Sequence, residues 1–164
     1  LALPFTQKTV LNRPEKMETP AATTNFYSFK MKGIDGKEID FSQFKGKKIT
    51  FHDPCYLGRA NKIYEAPREL IQKLDVELVE MKRSKANGLC CGAGGAQMFK
   101  DAEAGSKEIN IERTEDALAT QPDIIAAGCP FCNTMLTDGI KNKEKESDVK
   151  VLDIAELIAN AQDL

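Results

Sequence analysis

Cysteines are the residues of this chain whose type and spacing point most directly to chemistry. Two are adjacent, two form a C-x-x-C pair and one stands alone: Cys55, Cys90, Cys91, Cys129 and Cys132. An odd number of cysteines is a poor basis for a secreted disulfide framework, and adjacent cysteines cannot pair with each other without severe backbone strain. We therefore expect reduced thiols in a reducing, cytoplasmic compartment, available to a metal or to redox chemistry.

Ligation by sulfur alone suits zinc or an iron–sulfur cluster. Zinc takes four ligands, which would leave one cysteine spare, whereas a cluster of several irons can use five thiolates with one of them bridging. Gly92, Gly94 and Gly95 let the backbone come close and direct N–H groups at sulfur. Pro130 places Cys129 at a helix N-terminus, where the helix dipole favours negative charge. These surroundings favour an anionic cluster, with zinc as the alternative.

The elements that must position the thiols alternate between short strands and helices from residue 48 onward. Strands are predicted at Ile49–His52, Glu77–Met81, Asp123–Ala127 and Lys150–Leu152. Helices are predicted at Tyr64–Leu74, around Ala104–Ala119, from Cys129 onward and after Asp153, which can cap the last helix. This alternation predicts an α/β fold with a small parallel sheet of about four strands and flanking helices.

The cysteines fall just beyond the predicted strands. Cys55 follows the first strand, Cys90 and Cys91 follow the second, and Cys129 follows the third with Cys132 close behind. Because ligands of open α/β sheets bind in the crevice beyond the carboxyl ends of the strands, we expect all these thiols to meet at one edge of the sheet.

Composition and segment pattern divide the chain into three parts. Residues 1–24 lack periodicity and predict a disordered leader, residues 25–47 predict a β-hairpin with its turn at Asp35–Gly36, and residues 48–164 form the main domain. The chain begins with Leu1 instead of Met, so we expect a fragment or a processed form.

The hydrophobic content of 41% is sufficient for a folded core, and the net charge of −2 gives no electrostatic case for nucleic acid. No apolar run reaches the roughly 18 residues of a membrane-spanning helix.

Three motifs carry a resemblance to a known family. HDPCYLGR (52–59), CCGAGGAQM (90–98) and CPFC (129–132), in that order, resemble the CCG cysteine-rich domain. That domain occurs in heterodisulfide reductases and in the iron–sulfur subunits of glycolate and lactate oxidation systems. The resemblance runs over residues 48–164. Members commonly carry two such repeats, and this chain has one, which is similar to the C-terminal copy.

The resemblance implies an iron–sulfur electron-transfer protein, either an oxidoreductase subunit or an electron carrier. It implies one four-iron cluster, of a non-cubane type in members close to the heterodisulfide reductase, and a redox partner subunit such as a flavoprotein or a ferredoxin-like protein. The ligands that it implies are Cys55, Cys90, Cys91, Cys129 and Cys132. Some relatives with fewer cysteines carry zinc, so a zinc-stabilised structural module is the second hypothesis.

A second resemblance covers the predicted hairpin. NFYSFKMKGIDGKEIDFSQFKGKK (25–48) resembles the opening hairpin of a glutathione peroxidase, whose nucleophile would follow the next strand, close to Cys55. The Gln, Trp and Asn partners of that nucleophile have no counterpart here, since the chain contains no Trp. A thiol peroxidase is therefore a third hypothesis, and we expect it to be truncated and inactive.

Other side chains near the motifs also have expected roles. His52, the sole histidine, is expected to end the first strand and to hydrogen-bond the loop that orients Cys55, with acid–base chemistry or metal ligation as the alternative. Arg59 and Arg68 either face the cluster or an anionic substrate, or form surface ion pairs. We expect Arg113 on a solvated helix face, and Phe131 packed over the site, where it would limit the access of water.

Overall fold

A computed structural model describes residues 44–101 and 104–161 of this chain. Its strands are β1 (Lys48–Phe51), β2 (Glu77–Leu78), β3 (Ile124–Ala127) and β4 (Lys150–Asp153). Its α-helices are α1 (Glu65–Gln72), α2 (Ile109–Leu118), α3 (Pro130–Asn142) and α4 (Ile154–Ala161). The predicted leader (1–24) and nearly all of the predicted hairpin (25–47) lie outside the described residues.

The strands form one parallel sheet in the order β2-β1-β3-β4. In the register of the sheet, Ile49 of β1 lies opposite Leu78 on one side and Ile124 on the other. The predicted α/β class with a small four-stranded parallel sheet is confirmed. Strand β2 is shorter than predicted, although the Val79 N–H still donates to the Ile49 carbonyl at 2.8 Å just beyond it.

Alternation along the strands builds a different core on each face of the sheet. Ile49 and Phe51 point to the face covered by α1 and α4, where they pack with Ile71 and Leu157. The opposite face, covered by α2 and α3, packs Ile125 and Ala127 against Ala117, Leu136 and Ile140. Thr50 and His52 alternate with the first pair, so they point to this second face. All these strand positions are buried, because helices cover the sheet on both sides.

The strand order creates a crevice at one edge of the sheet. From β1 the chain moves outward to β2, then crosses back to β3 on the opposite side of β1. Loops after β1 and β3 therefore diverge, and open α/β sheets bind ligands at such a switch point. Cys55 and Cys129 lie shortly after these two strands.

Across the two described ranges, we find no helix with the length and apolar character that crossing a bilayer requires.

Candidate metal centre

The loop after β1 is fixed by a buried carboxylate that positions Cys55. Asp53 accepts hydrogen bonds from two guanidinium nitrogens of Arg68, at 2.7 and 3.0 Å, and from the backbone N–H of Lys85 at 2.7 Å. Burial raises the pKa of Asp53, but these hydrogen bonds outweigh it and hold the pKa below its usual value. Cys55 follows two residues later, exposed, at the start of the π-helical turn Tyr56–Ala60. Asp53 was not predicted as a site residue, although it is part of the HDPC motif.

The loop after β2 brings two adjacent cysteines to the same edge. Gly92 follows them with φ +93°, and a Cβ added there would lie 3.2 Å from the backbone nitrogen of Asn110. Its N–H donates to the Sγ of Cys90 at 3.3 Å. A side chain at this position would be strained and crowded, which confirms the predicted role of Gly92. Gly94 and Gly95, by contrast, have open space around them.

The third group of thiols lies at the start of α3. Cys129 is the N-cap residue, Pro130 opens the helix as predicted, and Cys132 lies in its first turn, where it is buried. Pro tolerates this position because its missing N–H would have no partner inside the helix. Both thiols therefore lie at the N-terminal end of α3, where a helix dipole favours negative charge.

Cys91 and Cys132 form the buried centre of the group. Their sulfur atoms and a ring nitrogen of His52 all lie within 4.8 Å of one another. The hydrogen bond from Cys132 lowers the pKa of Cys91 to about 4, against the effect of burial, with further help from His52 and the Ala93 N–H. The same hydrogen bond and burial raise the pKa of Cys132. The two pKa shifts run in opposite directions, so the negative charge of this pair is favoured on Cys91.

The remaining sulfurs join this centre on either side. Burial and the neighbouring charge of Cys90 raise the pKa of Cys55, which also senses Cys91. The neighbouring charge and hydrogen bond of Cys129 add to the raised pKa of Cys132. The structure thus brings all the predicted site cysteines together in one group, in which each sulfur interacts with at least one other.

Arg113 corrects a prediction: it is fully buried and does not lie on a solvated face. Asn110, Arg113, Thr114 and Ala117 share the side of α2 that packs against the sheet and α3. Because three of these residues are polar, the sequence pattern resembled that of an exposed face. Arg113 Nε donates to His52 Nδ1 at 2.9 Å, and its Nη1 donates to the Arg83 carbonyl at 2.6 Å.

His52 also differs from its prediction. It directly follows β1, but its ring contacts Arg113 of α2 and not the loop that carries Cys55. Strand alternation explains the difference, since residue 52 points to the same face as Thr50. Its place beside Cys91 was not predicted.

The structure also shows the surroundings of three further side chains for which the sequence predicted a role. Arg68 is a structural residue: it is buried and paired with Asp53 and with Glu80, the latter at 2.5 and 2.9 Å. Arg59 is exposed and donates to the Gly88 carbonyl at 3.0 Å, where its charge favours the thiolate of Cys55. Phe131 keeps 52% of its surface exposed, more than a residue that closes the site to water should have.

The donor set fits a metal group held by thiolates. Among the described residues all five cysteines are free, and they meet at the carboxyl edge of the sheet with backbone N–H groups directed at Cys90 and Cys91. Sulfur ligands with N–H donors around them suit an iron–sulfur cluster, and four of the sulfurs would also suit zinc.

The cysteine-rich domain family named CCG matches residues 49–137, which include every cysteine of this group. This chain belongs to the CCG family. The prediction of that family from three short motifs is confirmed.

The curated relatives of this CCG domain include proteins named as iron–sulfur-binding and as oxidoreductases. It is 54% identical to the probable iron-sulfur-binding oxidoreductase FadF of Bacillus subtilis, over 69% of this chain and 16% of that protein. It is 40% identical to the EtfAB:quinone oxidoreductase of Syntrophomonas wolfei, over 72% of this chain and 17% of that protein. It is 38% identical to a subunit of the dihydromethanophenazine:CoB–CoM heterodisulfide reductase of Methanosarcina barkeri, over 88% of this chain and 35% of that subunit. The chain thus spans about a third or less of the length of these relatives.

The family match and the relatives do not support the resemblance to a glutathione peroxidase. They give no support to the glutathione peroxidase hairpin at 25–48, and most of that segment lies outside the described residues.

Proposed function

We propose that this CCG domain is an iron–sulfur electron-transfer module in which Cys55, Cys90, Cys91, Cys129 and Cys132 hold one four-iron cluster. The observation that carries the proposal is the meeting of thiols from three separate loops at the switch point of the sheet. The names of the relatives, which include an iron-sulfur-binding oxidoreductase and a heterodisulfide reductase, support the same class.

Three features favour a cluster over zinc. Tetrahedral zinc would use four thiolates and leave one sulfur without a role. The N–H of Gly92 donates to the Cys90 sulfur, and such donors stabilise the negative charge of a thiolate-bound cluster. The buried Arg113 adds a positive charge that Cys132 senses. When bound, a cluster of this kind supplies a couple that accepts and releases one electron at a time.

The chain has a buried side and an open side around the proposed cluster. Cys91 and Cys132 are buried, so this side excludes water and strengthens the electrostatic effect of nearby donors. Cys55 is exposed, and the paired Asp53 and Arg68 hold its loop in place. We infer that electrons pass through the open side, next to Cys55.

We also propose a redox partner subunit at this edge, a flavoprotein or a ferredoxin-like protein. Tyr56 is 78% exposed and follows Cys55, and Phe131, which is 52% exposed, lies between Cys129 and Cys132. Exposed aromatic side chains are enriched at protein interfaces. The relative from Methanosarcina barkeri is named as a subunit of a reductase, which supports an assembly.

The test is metal and sulfide content after oxygen-free reconstitution of the full chain, with paramagnetic resonance on the same sample. We expect broad visible absorption, about four irons and about four sulfides per chain, and a signal on reduction. Replacing each cysteine in turn by Ser should lower iron content or change the signal. The control is Met135→Leu, which alters a sulfur-containing neighbour of Gly92 that is not a proposed ligand.

Two results would contradict the proposal. A colourless protein with one zinc per chain would favour the structural module, above all if chelation unfolded it. A Cys55→Ser variant with the iron content and signal of the parent would remove Cys55 from the ligand set.

A further inference from the structure

The buried histidine beside the cysteines has a fixed partner on its far side. His52 has no exposed surface, and its Nδ1 accepts a hydrogen bond from Arg113 Nε at 2.9 Å. A guanidinium carries only donors and stays protonated in proteins, so it cannot accept a hydrogen bond in return. Nδ1 must therefore keep its lone pair, and the proton of the neutral ring must be on Nε2.

The second ring nitrogen faces the buried sulfur pair. His52, Cys91 and Cys132 place a ring nitrogen and two Sγ atoms within 4.8 Å of one another. His52 Nε2 is completely buried and, among the described residues, has no hydrogen-bond partner in the metal-free chain. A protonated Nε2 in this position can donate only to sulfur.

We propose that Arg113 locks His52 in the tautomer whose Nε2–H donates to the Cys91–Cys132 sulfur pair, and that this donor raises the reduction potential of the cluster bound there. The second half of the statement rests on the proposed function, and the first half does not. His52 is then a positioning residue, with neither of the two chemical roles that its sequence position suggested.

The same geometry excludes those two roles. A metal ligand at Nε2 would need a lone pair there, which requires the proton on Nδ1, where Arg113 already donates. An acid–base role would need a second ring proton on Nδ1, the atom to which Arg113 already donates. A fixed, neutral donor is the state that remains.

The direction of the effect on the cluster follows from charge. Reduction adds an electron, so a donor to sulfur stabilises the reduced form more than the oxidised form. Removal of the donor should therefore lower the potential. A tenfold change in the ratio of reduced to oxidised protein corresponds to about 59 mV for a one-electron couple, and we expect a change of about that size.

The tautomer can be read directly, because His52 is the single histidine of the chain. Nitrogen–proton correlation spectra of the full chain, labelled at histidine and metal-free under reducing conditions, should show the proton on Nε2. In an Arg113→Met variant the lock is lost, and we expect a mixture of tautomers. A proton on Nδ1, or a doubly protonated ring at neutral pH, in the parent chain would overturn the proposal.

Two substitutions at position 52 separate the donor from the packing. The amide nitrogen of Gln can take the place of Nε2–H, whereas Leu fills similar space without a donor. Reconstituted His52→Gln should keep a potential close to that of the parent, and His52→Leu should fall by about 59 mV. Equal potentials in the parent and in His52→Leu, or an equal fall in both variants, would overturn the role of the donor.

Failure of the proposed function can be distinguished from failure of the inference about His52. If the chain binds zinc alone, the proposed function and the effect on the potential both fail, and the tautomer spectra still decide whether the lock exists. If a cluster forms and the spectra show the wrong tautomer, the proposed function stands and this inference fails.

Discussion

Among the described residues, each face of the sheet buries one arginine, and the two are paired differently. On the side of α1 and α4, Arg68 is held by the carboxylates of Asp53 and Glu80, and it lies 5.2 Å from the centre of the Phe51 ring. Burial lowers the pKa of Arg68, but its hydrogen bonds outweigh this and raise it. On the side of α2 and α3, Arg113 is 3.6 Å from Asp116, donates to a carbonyl and a ring nitrogen, and has its pKa lowered by burial.

Unsatisfied polar atoms follow the same division. Within the described ranges, the buried side-chain nitrogen and oxygen atoms without a hydrogen-bond partner all belong to the second face: those of Thr50, His52, Asn110, Arg113 and Thr114. Each such atom costs free energy when it is buried. The first face is an ordinary apolar core with a neutralised ion pair, whereas the second, which also contains Cys91 and Cys132, carries these unpartnered polar atoms. Departures of this kind from an ordinary core are expected at functional sites.

The largest effect is expected on the first face. Arg68→Met should lower the free energy of unfolding by about 3–5 kcal/mol, because it leaves the buried Asp53 carboxylate without its partner. Urea denaturation measures this loss. The control is Arg83→Met, whose ion pairs with Glu112 and Asp116 are partly exposed and should contribute much less. Equal losses in the two variants would show that burial of the pair does not matter.

A smaller loss is expected from the apolar core of the same face. Ile71 is fully buried between α1 and the sheet, so Ile71→Ala should cost about 2–5 kcal/mol of unfolding free energy and Ile71→Val about 0.5–1.5 kcal/mol. Iron content per folded chain should be unchanged in both. A drop in iron content without a loss of stability would mean that the core of the first face affects metal binding directly.

The contact between α2 and α3 should be sensitive to a single methyl group. A Cβ at Gly139 would lie 1.9 Å from Thr114 Oγ1 and 2.9 Å from Thr114 Cβ, so the helices must move apart. We expect Gly139→Ala to cost about 1–3 kcal/mol in urea denaturation, and Thr114→Ala to restore part of this in the double variant. Asp138→Ala, one residue away and exposed, is the control. A Gly139→Ala variant as stable as that control would contradict the close packing.

The smallest effect concerns pH on the outer surface of the second face. Hydrogen bonds from Lys107 and then Lys143 lower the pKa of Glu115 from 4.5 to about 2. A lowered carboxyl pKa contributes stability that is present above pH 4.5 and is lost as the pH falls toward 2. Glu115→Gln should therefore weaken the acid dependence of the urea midpoint over this range. An unchanged slope would show that Glu115 adds nothing, as many exposed pairs do.

Local signals predicted most of the elements correctly. The buried run at 124–127 is a strand as predicted, and Pro130 marks the start of α3, because short apolar runs and proline restrict the backbone wherever they occur. Strand β2 was predicted too long: it ends at Leu78, and beyond it the Val79 N–H adds one more hydrogen bond to β1. The glycine after the paired cysteines directs its N–H at sulfur as predicted, and the roles of the two glycines that follow stay predictions.

Sequence alone determined the class of the site: cysteines beyond strand ends converge because parallel strands share one carboxyl edge. Tertiary structure decided the surroundings of that site. Whether Arg113 meets solvent or His52 depends on the packing of α2 against the sheet, and the polar residues at 110, 113 and 114 gave the helix no apolar stripe to reveal its buried side. A buried polar side chain looks like an exposed one in a sequence, since only its partners, which are distant along the chain, make its burial favourable.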